Sequence, residues 1–315
     1  KKKKTGDLQY PDPDVMGFNP CAEQSLANFE TCCLAEVYLP NIDTYEELRK
    51  VLRYLYRVNK HSLSIPCSLK ETEDIVHRNM RMGIGVTGYL QATEEQKSWL
   101  DKAYTYLRAY DKEYSAQHGF PPSIKLTTVK PSGTLSLLAG VTPGAHPGYS
   151  QYYIRRIRMA TDSELARVAR SNGYHVEYVR NFDGTEDHST VVVSFPCSFP
   201  EGTQFGTDMT AIDQLEVIKR LQLEWSDNSV SVTIYYRKEE LEAIRWWLHD
   251  NYINTKFVSF LLHSDHGFDQ APLEEITKEQ YEEMKASVTP ITSLDKLSLD
   301  EIEIDNCDTG ACPVR

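Results

Sequence analysis

From Thr44 onward the sequence alternates between two periodicities, and that alternation restricts the folds open to it. Apolar residues at helical spacing run from Thr44 to Asn59 through Leu48, Val51, Leu52 and Leu55. A second helix is predicted from Thr93, which with Gln96 forms a reciprocal cap, and Leu100, Tyr104, Leu107 and Tyr110 share one of its faces before Gly119. Short strand-like runs follow at Ile124–Val129, Thr190–Phe195, Val230–Tyr235 and Phe257–Leu262. Helical stretches at Asp162–Asn172, Ile212–Trp225 and Glu239–Leu248 separate them, and a short helix near Glu279–Ala286 comes last. Strands alternating with helices predict an α/β fold with a largely parallel sheet or barrel.

Charge and cysteine usage narrow the function classes. The 315 residues carry 34 Lys plus Arg against 46 Asp plus Glu, a net charge of −12 that argues against a nucleic-acid polymer or an anionic membrane as partner. A small anion in a local pocket stays open. No apolar run reaches the ~20 residues of a membrane span, and the Lys1–Lys4 start lacks a signal-peptide core, so a cytoplasmic protein is expected. Seven cysteines, an odd number, fit a reducing compartment in which thiols persist unless they do chemistry.

Three places in the sequence carry chemistry. In Asn19-Pro20-Cys21-Ala22-Glu23, a Cys and a Glu two apart on an extended loop would face the same side, a sulfur nucleophile or radical centre beside a general base. The same pattern also fits a small buried Cys next to a surface charge. Cys32 and Cys33 follow, without the paired knuckles of a zinc site, and no metal site is expected. Near the C-terminus Cys307 and Cys312 stand five apart across a Gly-containing turn, suited to disulfide exchange on a mobile arm or merely incidental. Between these, Lys130-Pro131-Ser132-Gly133-Thr134-Leu135-Ser136 follows a strand-like run as a phosphate-gathering turn would, and equally as an ordinary helix cap would. His146, in the Pro/Gly-punctuated continuation of that loop, could reach a ligand.

Together these pieces resemble one family, the catalytic chain of ribonucleotide reductase, and within it the adenosylcobalamin-dependent (class II), monomeric, triphosphate-reducing kind. The matching segments are Asn19–Glu23, Leu34-Ala35-Glu36-Val37-Tyr38-Leu39-Pro40-Asn41, Gly83–Gly88, Pro131–Ser136, Ser229-Val230-Ser231-Val232-Thr233 and the terminal Cys307/Cys312 pair. The resemblance implies the C-terminal portion of a ten-stranded α/β barrel. In it Cys21 sits on the finger loop and becomes the thiyl radical that takes the 3′ hydrogen of the ribose. It makes Glu23 the base for the 3′ hydroxyl, Asn19 a substrate contact, and Cys32 one of two reducing thiols, with Cys33 adjacent and easily confused with it. Ser132, Gly133, Thr134, Leu135 and Ser136 would bind the substrate phosphates. Cys307 and Cys312 would pass electrons from thioredoxin or a similar dithiol.

The implied cofactor is adenosylcobalamin and the implied substrate a ribonucleotide. Residues 1–14 are expected to be a linker or disordered start, 15–296 the barrel portion, and 297–315 a flexible redox tail. The partner of Cys32 and the effector site would precede Lys1 in the family, which implies an N-terminal reductase polypeptide as a partner. Tyr235 and Tyr236 invite comparison with the radical-relay tyrosines of class I chains, but a strand-like run far from the C-terminus makes them wall residues. Cys67 and Cys197 are read as structural. A non-catalytic barrel subunit, a thiol-disulfide exchange protein and a class I catalytic chain are the competing readings.

Overall fold

The glycine-rich run after Met80 is a strand, β4 (Gly83–Thr87), buried along its whole length. In the computed structural model, which describes residues 12–181, 183–263 and 269–292, β4 lies between β3 (Leu34–Tyr38) and β5 (Thr127–Thr128) and runs parallel to both. The ladder continues beyond β5. Val129 bridges Val230 in parallel, and the chain from Val230 enters β9 (Thr233–Tyr236), which pairs in parallel with β10 (Ser259–Leu262).

Parallel neighbours need crossovers, and helices provide them. Helices α1 (Tyr45–Ser62) and α2 (Lys70–Asn79) connect β3 to β4, α3 (Glu94–His118) connects β4 to β5, α6 (Ala211–Glu224) precedes β9, and α7 (Leu241–Asn251) leads to β10. Helix α3 starts and stops where its sequence places it: the Thr93/Gln96 capping box is formed, and Gly119 closes the helix in the left-handed region. Ile84 and Val86 of β4 pack in one core with Leu48, Leu52 and Tyr56 of α1, Leu100 and Leu107 of α3, and Leu215, Ile218 and Leu221 of α6.

These elements form one of two compact units, Lys1–Pro147 with Gly206–His263; the other is Gly148–Phe205 with Ser264–Arg315. In the second unit the expectation of parallel strands fails. Its four strands, β6 (Tyr152–Ala160), β7 (His175–Arg180), β8 (Glu186–Ser198) and β11 (Leu273–Glu275), form an antiparallel sheet in the order β11-β6-β8-β7. A tight turn closed by the Asn181 N–H on the Thr185 carbonyl at 2.8 Å joins β7 to β8 and makes that pair antiparallel, and β8 also pairs antiparallel with β6 over nine consecutive positions from Tyr152↔Ser198 to Ala160↔Thr190. Helix α5 (Glu164–Ser171) packs on this sheet, as does α8 (Lys278–Ser287). No described helix is long and apolar enough to cross a membrane.

Candidate active site

Cys21 sits at the tip of a hairpin formed by β1 (Val15–Phe18) and β2 (Ser25–Ala27). The tip is a turn rather than the extended loop that the sequence suggested. Ala22 N–H donates to the Asn19 carbonyl at 2.8 Å, with Pro20 inside the turn, and Ala22 takes a positive φ of 59°. A left-handed alanine costs about 1 kcal/mol, so other contacts must hold this shape. Asn19 supplies several: its N–H donates to the Gln24 carbonyl at 3.0 Å and its Oδ1 accepts the Gln24 N–H at 2.9 Å.

The base of the hairpin is gripped by an arginine that sequence reasoning missed. Arg81, 1% exposed, donates from Nη1 and Nη2 to Asp12 at 2.7 and 2.9 Å and contacts Ser25 Oγ at 3.3 Å. Its Nε lies 3.0 Å from Glu30 Oε1, off the hydrogen-bond direction, so that contact is an ion pair. Glu30 in turn accepts the Ala27 N–H at 2.7 Å and the Asn79 amide at 2.9 Å. One buried guanidinium thus ties both strands of the hairpin to the entry of β4.

Around the tip the structure gathers the residues singled out from sequence. Asn19 Nδ2 donates to Cys32 Sγ at 3.9 Å. The Cys32 thiol is pushed up first by burial and then by the negative charge of Glu23, while the Asn19 amide and the positive charge of Lys130 pull it down. Glu23 is 2% exposed, and its Oε2 has no hydrogen-bond partner among the described residues. Cys33 is turned elsewhere: its Sγ approaches the Asn59 carbonyl at 3.9 Å, its side chain packs against the core, and burial, followed by the neighbouring Cys32, raises it to about 11. Cys32, not Cys33, is therefore the thiol on the hairpin side. Cys21, Cys32, Cys33, Cys67 and Cys197 are thiols, none of them in a disulfide.

The Ser132–Ser136 loop lies next to the same charges. Lys130 Nζ is 3.5 Å from Glu36 Oε1, and Ser132 Oγ donates to Glu36 Oε2 at 2.5 Å. Ser132 is buried with a positive φ of 51°. Thr134 makes no side-chain cap, and the helix after it, α4 (Leu135–Leu138), is a single turn. Ser136 is fully buried, with its hydroxyl lacking a partner among the described residues. Gly144 fixes the return of the loop: at φ 55° it comes so close that a Cβ would stand 2.2 Å from the Lys130 carbonyl.

His146 does not reach for a ligand. It is buried, its Nε2 accepts the Thr233 N–H at 3.0 Å, and its Nδ1 therefore carries the proton donated to the Pro143 carbonyl at 3.1 Å. Burial lowers it to about 4, so it is a neutral strut between the loop and β9. Tyr236 packs against the core, and the Tyr235 backbone is bracketed by Gln214, which fits wall residues. Cys307 and Cys312 lie outside the described residues.

Comparison with known proteins gives this arrangement its relatives. The adenosylcobalamin-dependent ribonucleoside-triphosphate reductase of Euglena gracilis is 36% identical over 98% of this chain and 44% of its own length. That of Lactobacillus leichmannii is 30% identical over 96% of this chain and 46% of its own. A crystal structure of a B12-dependent (class II) ribonucleotide reductase superposes with a TM-score of 0.75 at 27% identity, covering 96% of this chain and 45% of that one. The chain is homologous to the class II ribonucleotide reductases. It spans less than half the length of the curated reductases it matches. The α subunit of an Actinobacillus ureae class Id reductase shares the fold alone, at 15% identity and a TM-score of 0.53. No family model matches the chain. Of the residues to which the sequence assigned no role, Arg81, Glu36 and Lys130 join the cluster around the hairpin, and only Lys130 and Glu36 lie inside motifs that could have pointed to them.

Proposed function

We propose that this chain carries the catalytic hairpin and one reducing thiol of an adenosylcobalamin-dependent ribonucleotide reductase that converts ribonucleoside triphosphates to 2′-deoxyribonucleotides. The observation that supports it is the convergence of Asn19, Glu23 and Cys32 at the braced tip that bears Cys21. On this reading the five parallel segments from β3 to β10 are part of a ten-stranded barrel around that hairpin.

The reaction starts from a radical that side chains do not generate unaided. The half-buried Cys21 thiol, on a tip fixed by backbone hydrogen bonds, suits a cofactor that needs a reachable and stationary S–H opposite it. Adenosylcobalamin, when bound, would supply the radical chemistry, with Cys21 holding the S–H that it would act on. Cys21 then takes the 3′ hydrogen of the ribose, and Glu23 accepts the 3′ hydroxyl proton through its unpartnered Oε2. The 2′ C–O bond breaks and its oxygen leaves as water. Cys32 and a second thiol give up two electrons and two protons, one proton going to the departing water and one to the 2′ carbon, and join as a disulfide; Cys21 returns the hydrogen to the 3′ carbon and Glu23 returns the proton to the 3′ oxygen.

Cys33 points to Asn59, so we place the second thiol, with the effector site, on an N-terminal reductase polypeptide. The Ser132, Gly133, Thr134, Leu135 and Ser136 loop is assigned to the substrate phosphates, and Cys307 with Cys312 to electron delivery from thioredoxin or a similar dithiol in the cytoplasm. The test combines this chain with the N-terminal polypeptide, adenosylcobalamin, a ribonucleoside triphosphate and dithiothreitol. Wild type is expected to form deoxynucleotide and Cys21→Ala none; undiminished product from Cys21→Ala would overturn the reading.

A further inference from the structure

The run Ser229-Val230-Ser231-Val232-Thr233 has no assigned role in the chemistry, and its alternation is informative. Val230 and Val232 point into the core, 0% and 1% exposed. The Ser231 side chain and the Ser229 backbone face the hairpin, whereas Thr233 turns to Ser259. Ser231 Oγ donates to the Cys21 carbonyl at 2.5 Å, and Ser229 N–H donates to the Glu23 carbonyl at 3.0 Å. Thr128, the last residue of β5, donates its Oγ1 to that same Glu23 carbonyl at 2.7 Å. Ser229, Ser231 and Thr128 are all buried, at 0%, 5% and 0% exposure.

Three donors from two neighbouring strands of the parallel ladder thus converge on the carbonyls flanking Ala22, the residue held at positive φ. The segment behind them is rigid. Asn228 Nδ2 donates to the Met82 and Thr127 carbonyls at 3.0 and 2.9 Å, and Asp227 accepts from Arg108, Tyr104 and the Leu126 N–H at 2.6, 2.5 and 3.0 Å. Thr128 Oγ1 also lies 3.1 Å from the Ser229 carbonyl, so its hydroxyl ties the tip and the Ser229 segment to the end of β5, and buried donors held in this way fix geometry more than they add stability.

We propose that Ser231 and Thr128 are positioning residues that latch the hairpin tip, holding Cys21 and Glu23 in register with the parallel ladder. This rests on the proposed role of Cys21 and deepens it by naming what holds the thiol in place. Ser231→Ala and Thr128→Val each remove one hydroxyl at nearly constant volume: the first takes the Ser231 donor from the Cys21 carbonyl, and the second leaves the Glu23 carbonyl with the Ser229 N–H alone. Ser231→Thr and Thr128→Ser keep the hydroxyl.

The experiment has two arms. In the first, native protein is exposed to iodoacetamide and alkylation is followed peptide by peptide. Cys21 is expected to react about fivefold faster in Ser231→Ala and Thr128→Val, to return to the wild-type rate in Ser231→Thr and Thr128→Ser, and Cys67 to be unaffected in all four. In the second arm, deoxynucleotide formation in Ser231→Ala is expected to show kcat reduced about tenfold with KM within about twofold of wild type, again restored by Ser231→Thr. An unchanged Cys21 alkylation rate in both hydroxyl-deletion variants overturns the latch. So does a rate that the hydroxyl-keeping variants fail to restore. The alkylation arm decides the latch even if wild type forms no deoxynucleotide, an outcome that would instead overturn the reductase reading.

Discussion

Adjacent thiols with different surroundings have different uses, and Cys32 and Cys33 differ in what they face. Cys33 is raised to about 11 by burial against the core, where its sulfur behaves as a small hydrophobe. Cys32 is also raised by burial, but Glu23, Asn19 and Lys130 set the rest of its shift, so its acidity reports on the site. Removing a negative neighbour favours the thiolate, and removing a positive one disfavours it. Glu23→Gln is therefore expected to move the pH at which Cys32 is half-alkylated downward, and Lys130→Met upward, measured from the alkylation rate of the Cys32 peptide against pH. A Cys32 titration that ignores both substitutions would place it outside the cluster. At this scale the sequence was partly legible. The Cys21, Glu23 and Cys32 trio stands in one short segment, whereas nothing local marks Arg81 as buried, because its partners Asp12 and Glu30 come from elsewhere in the chain.

Elements were readable where their signals are local. Helices α1 and α3 carry their own caps and apolar faces: Thr44 and Thr93 both accept a cap hydrogen bond, Thr93 in the reciprocal cap that its sequence predicts. Helix α2 was not anticipated, because it has no side-chain cap and buries only Val76 and Asn79. Strands β6 and β7 were missed as well, since arginines, histidine and glutamate interrupt their apolar residues. The loop after β5 shows how a histidine in a motif can be a strut. His146 is held neutral, its folded value depressed from 6.5 to about 4, so protons bind more readily to the unfolded chain. The stability it confers is complete above about pH 6.5 and is lost as pH falls toward 4, a change of about 3 kcal/mol across the window. Urea midpoints at pH 7 and pH 4.5 should therefore differ less in His146→Gln than in wild type. Equal differences in the two proteins would mean that His146 is already charged in the folded state.

For the whole molecule, the chain builds one unit on parallel β-structure and a second on an antiparallel sheet. The alternation of helices and strands pointed to the first. It could not distinguish the second, because an antiparallel sheet with a helix between strands leaves the same local periodicities and differs only in pairing over long range. The net charge of −12 contrasts with the lysine beside the Ser132–Ser136 loop, Lys130, which Glu36 pairs at 3.5 Å. The central claim is that Cys21 takes a hydrogen atom from the 3′ carbon of the substrate. The direct measurement is deoxynucleotide formation from a ribonucleoside triphosphate deuterated at the 3′ carbon, in competition with the unlabelled substrate and in the presence of the N-terminal polypeptide, adenosylcobalamin and dithiothreitol. Discrimination against the deuterated substrate with wild type and no product with Cys21→Ala is the predicted result; equal use of the two substrates, or product that persists in Cys21→Ala, would contradict the account.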